Sequence, residues 1–360
     1  MAHRFRLLCA AGDGIVNTVN PIEASIVERV AAPTELPSLD GLAHLTWRPL
    51  TRDDVPELTR LVNAVEEADH LPYRSSQDEV DERFDGDWKD HERDTLTGVD
   101  ADGRIRAYAQ VNQPPGDTRV VRAFLDGGVD PQWRGQGIGR ELLAWSAGRG
   151  RQKIAESGKE LPARLAVFVD DDATATVRLL RAGGFAAARF YAEMRRPLGD
   201  PLPDVPAPEG LTIVPWSTEL DDQVRLAHNE AFADHWGSEP RTVDEWAQGR
   251  SMFAPTWSFV AVDDATGEVA GYLFSGRYEQ DWEISGYSAG YTDLLGVRRA
   301  WRGRGLAGAL LSTAMAVYKA DGIEFAELGV DTANQSGAHR LYTNLGYAVF
   351  RSSTMFAINL

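Results

Sequence analysis

The feature that most constrains this chain is an internal echo: residues 133–143 read WRGQGIGRELL and residues 301–311 read WRGRGLAGALL. A period of about 160 residues is far longer than the 20 to 50 residues of solenoid repeats, so it marks a duplicated domain. The length of 360 residues suits two domains of ordinary size.

The flanking segments repeat as well. LTWRPLTRDDVPELTRLVNAV and LTIVPWSTELDDQVRLAHNEAF each read as a strand, an acidic helix start and apolar residues at helical spacing. Each is followed by Ala-Asp-His, at Ala68 to His70 and at Ala233 to His235. TLTGVDADGRIRAYAQV and SFVAVDDATGEVAGYLF read as hairpins with Asp-Gly and Thr-Gly turns. Then come the strands FLDGGV and TDLLGV, the glycine turns, long helices, the strands RLAVFV and FAELGV, short helices ending in Gly-aromatic, and a closing strand. Hairpins followed by a strand-helix-strand crossover imply an α/β fold in the α+β sense, a mixed sheet, present twice. Five prolines and two glycines in residues 197–210 exclude a helix or central strand there. The expected layout is an extension at 1–43, a domain at 44–200, a Pro-rich linker at 201–210 and a second domain at 211–360.

Composition narrows the function. Hydrophobic residues at 43 % and charged ones at 25 % are ordinary for a globular protein. No apolar run of about 18 residues exists, so no membrane-spanning helix is expected. The start, MAHRFRLLCAAGDG, is too short in its apolar run to read as a leader. Cys9 is the single cysteine, which excludes an intrachain disulfide and a cysteine metal cluster and favours the cytoplasm. The net charge of −17 argues against nucleic acid or an anionic membrane as partner and is compatible with a cationic small substrate, although the plainer reading is that it serves solubility alone. No metal site is expected, and a homodimer is left open.

The second turn, Arg302-Gly303-Arg304-Gly305-Leu306-Ala307, joins a strand to a helix. First-turn N–H groups lack intrahelical partners and the helix dipole favours an anion, so a pyrophosphate suits the turn. Arg298, Arg299, Arg302 and Arg304 add an expected local positive field. No Gly-Lys-Ser/Thr follows, which excludes a P-loop, and hairpins precede the glycines, which disfavours a dinucleotide fold. The plain alternative is a turn whose glycines only permit close packing.

The pattern Arg-x-x-Gly-x-Gly/Ala between a valine-ended strand and a leucine-rich helix resembles the acetyl-CoA motif of the GCN5-related N-acetyltransferases. Arg302, Gly305 and Ala307 carry it in the second copy, and Arg134, Gly137 and Gly139 in the first. Asn334 and Leu341-Tyr342-x-x-x-Gly346-Tyr347 resemble the family's second signature. The resemblance covers nearly all of residues 44–360 and implies two tandem acyl-CoA N-acyltransferase domains with acetyl-CoA as acyl donor. It implies that Leu295, Gly296 and Val297 pair with the pantetheine arm, and that the turn through Arg302, Gly303, Arg304, Gly305, Leu306 and Ala307, with Asn334, holds the cofactor. In the first copy Val129, Arg134, Gly135, Gln136, Gly137, Ile138 and Gly139 are the corresponding candidates.

The same resemblance makes Tyr342 the acid that protonates the leaving thiolate. Counting along the Leu-x-x-x-x-Gly frame, Leu180 stands at that place in the first copy. Strand alternation puts Asp293 and Tyr291 on one face, with Asp293 the candidate base. The same count in the first copy falls on Leu125 and Ala123, with Asp126 on the other face. Acid and base are therefore both expected to be missing from the first domain. Phe232, Asp234, His235, Trp236 and Glu239 form a candidate acceptor loop, although the matching Asp69-His70 allows a structural reading. Trp246, Trp257 and Trp282 read as core or interface residues.

The expected activity is acetyl transfer from acetyl-CoA to the primary amine of a small molecule by direct attack in the C-terminal domain. The division into a degenerate and an active half is similar in layout to the mycothiol synthase family, which places a glutamate near the position of Tyr291. The rival from another class is a non-catalytic acyl-CoA sensor or scaffold.

Overall fold

The computed structural model describes residues 24–235, 237–332 and 338–360. Cys9, Trp236 and Asn334 lie outside them. Two compact units emerge: residues 24–188 with 354–360, and residues 189–353.

In the first unit β1 (Thr46–Arg48), β2 (Thr95–Val99), β3 (Ile105–Asn112) and β4 (Val121–Val129) pair antiparallel in that order, and β5 (Ala163–Asp170) joins parallel to β4. β6 (Ala186–Pro197) gives residues 189–197 to the second unit, where they pair with β11. In the second unit β7 (Leu211–Pro215), β8 (Phe259–Asp263), β9 (Val269–Gly276) and β10 (Ala289–Val297) are antiparallel neighbours, and β11 (Phe325–Asp331) is parallel to β10. β12 (Ala348–Asn359) returns its end to the first unit, where Ala163 and Leu360 exchange backbone hydrogen bonds of 3.1 and 2.8 Å.

The closing strands are thus assigned opposite to the boundary expected at residue 200. Their alternating apolar pattern makes a strand but does not say which sheet edge accepts it. Both mixed sheets and the order of elements agree with the expectation from the repeat.

Each sheet is covered on both faces. In the second unit the helix Leu306–Ala320 buries Leu310, Leu311, Ala314 and Met315 against Leu273, Leu295 and Leu328. The other face packs the helix Asp221–Ala231 through Val224, Ala227 and Phe232 onto Val260 and Tyr272. Trp257 is wholly buried and Trp246 nearly so. The linker meets the helix Leu306–Ala320 at Pro203, whose carbonyl accepts from Ser312 Oγ, and Leu202 and Val205 pack on the same core.

Within the extension, the short helix Ile26–Val30 and Leu39 join the first unit's core, and Leu36 rests where Gly148 leaves room. This segment therefore contributes packing to that unit.

Candidate functional site in the second unit

The glycine turn is built on two left-handed residues. Gly303 and Gly305 have φ of 73° and 87°, a region that side chains strongly disfavour. Gly305 is the N-cap of Leu306–Ala320 and supplies no side chain to cap the first turn, which keeps those N–H groups for an anion. Gly135 and Gly137 repeat the conformation in the first unit, with φ of 82° and 84°, ahead of the helix Ile138–Glu156.

The strand entering the turn is forked from its parallel neighbour. β10 pairs with β11 only from Ala289↔Phe325 to Thr292↔Leu328, whereas its pairing with β9 continues to Val297↔Gly271. Asp293 to Val297 consequently face a gap on the β11 side, where Leu295, Gly296 and Val297 can offer backbone groups to an extended ligand arm. Gly296 is required for another reason: a Cβ there would lie 2.5 Å from the buried ring of Tyr272, whose hydroxyl meets His228 Nδ1 at 2.5 Å. β4 and β5 part in the same way after Phe124↔Ala166.

Arg298 and Arg299 are charge-paired, so the positive field expected from sequence is reduced there. Arg298 pairs with Glu230 at 2.7 Å and Arg299 with Asp234. Arg302 donates to Val297 O at 3.1 Å and Ala231 O at 2.9 Å, while Arg304 reaches Glu209 O at 2.8 Å. Carboxylates far away in sequence thus compensate Arg298 and Arg299, while Arg302 and Arg304 donate to backbone carbonyls. In the first unit Arg134 likewise pairs with Asp69 at 2.7 Å. Asp69 therefore anchors the turn arginine Arg134, and Asp234 the arginine just before the second turn, Arg299, which favours the structural reading of that loop. Phe232 is a core residue stacked on His228, His235 is half-buried beside it, and Glu239 is buried.

Asp293 occupies a β-bulge. The register of β10 on β9 shifts between Thr292 and Leu294, and an extra residue in one strand re-aims its side chain. Thr292, opposite Ser275, faces the helix Leu306–Ala320. Asp293 shares the opposite face with Tyr291: Tyr278 donates to Asp293 Oδ1 at 2.8 Å, and its ring meets that of Tyr291 edge-on at 5.9 Å. β4 runs on β3 from Phe124 to Val129 without a shift, so Phe124 matches Tyr291, Leu125 matches Thr292, and Asp293 has no counterpart. The pairing of Asp293 with Leu125 and Tyr291 with Ala123 by simple counting was displaced by this bulge. The first unit has no residue at such a bulge, but Asp126, expected on the other face, matches Leu294 and lies on the Tyr108 face, where it accepts from Tyr108 at 3.1 Å and pairs with Arg83 at 2.8 Å.

Tyr342, in the helix Ala338–Asn344, is fully buried on the opposite side of the sheet from Asp293, in the core shared with Leu306–Ala320, and its ring lies 6.2 Å from Tyr347. Tyr342 and Asp293 thus lie on opposite sides of the sheet. Leu180, the counterpart of Tyr342, is buried in the first unit. There a cavity of about 260 Å³ follows the β4/β5 fork, lined by Val129, Arg134, Gly135, Ile138, Gly139 and Leu180.

Sequence reasoning missed Tyr278, Glu193 and Glu327 on the Asp293 face. Tyr287 donates to Glu327 at 2.7 Å, and burial, reinforced by the charge of Glu193, raises the Glu327 carboxyl to about 7. Arg195 stacks over the rings of Tyr287, Phe325 and Phe350 at 4.7 to 4.8 Å. The glycines Gly276 and Gly329 open space for this group. A Cβ on Gly276 would meet Asp293 Oδ2 at 2.6 Å. No group of three or more metal-ligating side chains occurs among the described residues, and none of their helices is long and apolar enough to cross a membrane.

The fork, the doubly left-handed turn and the uncapped helix are those of an acyltransferase fold that binds acyl-CoA. The chain belongs to the acetyltransferase (GNAT) family, whose model matches it twice, at residues 59–185 and 222–347, and it is an acetyltransferase enzyme with tandem domains. Its similarity extends to the mycothiol acetyltransferase of Frankia alni, 32 % identical over 323 residues covering 85 % of this chain and 92 % of that one. Among solved structures, a GCN5-related N-acetyltransferase from Sphaerobacter thermophilus is 27 % identical, with a TM-score of 0.65 over 90 % of this chain and 97 % of that one. A tandem GNAT protein from the clavulanic acid biosynthesis pathway shares the fold at 19 % identity and a TM-score of 0.63, covering 88 % and 98 %.

Proposed function

We propose that the second unit transfers an acetyl group from acetyl-CoA to the primary amine of a small molecule by direct attack. The observation that carries this reading is the bulge at Asp293, which sets a carboxylate beside the β10/β11 fork, across the sheet from Tyr342. Acetyl-CoA, when bound, supplies an activated thioester. The first-turn N–H groups after Gly303 and Gly305 hold its pyrophosphate, and backbone groups of Leu295 to Val297 hold the pantetheine arm. Asp293 takes a proton from the amine, and Tyr342 donates one to the departing thiolate sulfur. Tyr278 keeps Asp293 oriented.

The similarity to a mycothiol acetyltransferase supports a mycothiol-type acceptor as the specific form of this activity. The first unit repeats the turn and retains a lined cavity at its fork, which supports acyl-CoA binding there without transfer. A panel of small amines with acetyl-CoA, read by release of free thiol, tests the proposal. Amine-dependent release is expected, and binding of acetyl-CoA with no release for any amine would favour the sensor.

A further inference from the structure

One half-buried contact of the second unit has no place in the chemistry above. The Tyr291 hydroxyl donates to Glu193 Oε2 at 2.9 Å. Glu193 stands on β6 and Tyr291 on β10, with β11 between them, so the contact reaches across a whole strand. It can do so because residue 329 of β11 is glycine. A Cβ there would lie 2.9 Å from the Tyr291 oxygen and 3.0 Å from Glu193 Oε1.

Burial, and then the Glu193 charge, push the Tyr291 phenol well above its ordinary range, so the hydroxyl keeps its proton. With that proton committed to Glu193, the Tyr291 oxygen offers only lone pairs to anything else. Tyr291 is half-buried on the Asp293 face, edge-on to the ring of Tyr278, which donates to Asp293.

We infer that Glu193 is a positioning residue of the acceptor site, fixing the Tyr291 hydroxyl as a hydrogen-bond acceptor for the incoming amine. This rests on the proposed acetyl transfer. An amine that gives one N–H to Tyr291 and another to Asp293 has its lone pair left for the thioester carbon. The arrangement selects a nucleophile with two N–H donors, a primary amine, over one that has a single proton to give. Glu193 comes from the segment before the Pro-rich linker but belongs to the second unit, so the acceptor site is complete within that unit.

The test compares Tyr291→Phe, Glu193→Ala, their combination and Gly329→Ala in the full chain, using an amine active in the panel. Gly329→Ala leaves both side chains present and separates them, so it decides the matter even where Glu193→Ala fails to fold. Tyr291→Phe and Gly329→Ala are each expected to raise KM for the amine about tenfold, the scale of one hydrogen bond, with KM for acetyl-CoA within about twofold of wild type. Glu193→Ala should add nothing in the Tyr291→Phe background. Additive effects, or an equal rise in KM for acetyl-CoA, would overturn the inference. Wild-type protein that acetylates no amine removes the transfer reading and this inference with it, whereas an active wild type with unaffected variants removes only this inference.

Discussion

Tyr278 donates a 2.8 Å hydrogen bond to Asp293 in a space that exists because residue 276 is glycine. Asp293 is 1 % exposed, and its bulge is absent from β4. Removing the carboxylate with Asp293→Asn is expected to lower kcat by about 10²-fold or more, the usual contribution of a general base, with thermal stability little changed. Gly276→Ala should cost activity by displacing both partners, since its Cβ would sit 2.5 Å from the Tyr278 ring. Overpacking of this kind costs about 1–3 kcal/mol of stability. Steady-state rates and denaturant midpoints of both variants, side by side, check the pair.

The two glycine turns should separate by function although their backbones match. Gly305→Ala forces a side chain into φ of 87°, straining the turn by about 1–2 kcal/mol. It is expected to raise KM for acetyl-CoA several-fold. Gly137→Ala imposes the same strain at φ of 84° in the first unit and should leave KM and kcat for acetyl transfer near wild type. Kinetics of the two variants against acetyl-CoA concentration decide this, and an equal loss in Gly137→Ala would assign turnover to the first unit.

Glu327 predicts a pH effect. Burial raises its carboxyl from an ordinary 4.5 to about 7, with Glu193 adding to the rise and Tyr287, Arg195 and Arg351 opposing it. The folded protein therefore holds a proton between pH 4.5 and 7 that the unfolded chain has released. The stabilisation is fully present below the unfolded value and is lost as pH rises through the folded one. Glu327→Gln should remove this dependence, flattening the difference in unfolding free energy between pH 5 and 8 by on the order of 2 kcal/mol. Chemical denaturation of both proteins at the two pH values measures it. An unchanged slope would show that Glu327 titrates normally.

What the sequence disclosed was local. A left-handed turn at a helix start demands glycine, so both turns could be read from WRGQGIG and WRGRGLA. The hairpins, crossover helices and the loss of Tyr342's hydroxyl at Leu180 follow from short-range patterns of the same kind. Long-range pairing was hidden. The bulge at Asp293 arises from register on β9, which alternation along one strand cannot reveal. Glu193 enters the site only because β6 pairs with β11, and Glu230 and Asp234 neutralise arginines more than sixty positions away in the chain.

Chemistry in one copy only is the central claim, and the rate of amine-dependent thiol release by Tyr342→Phe tests it most directly. Removing a buried hydroxyl leaves the ring and the packing of the core in place. The rate at saturating acetyl-CoA and amine is expected to fall at least about tenfold, given the 10²–10⁴ typical of general acids. A Tyr342→Phe protein that turns over as fast as wild type would contradict it.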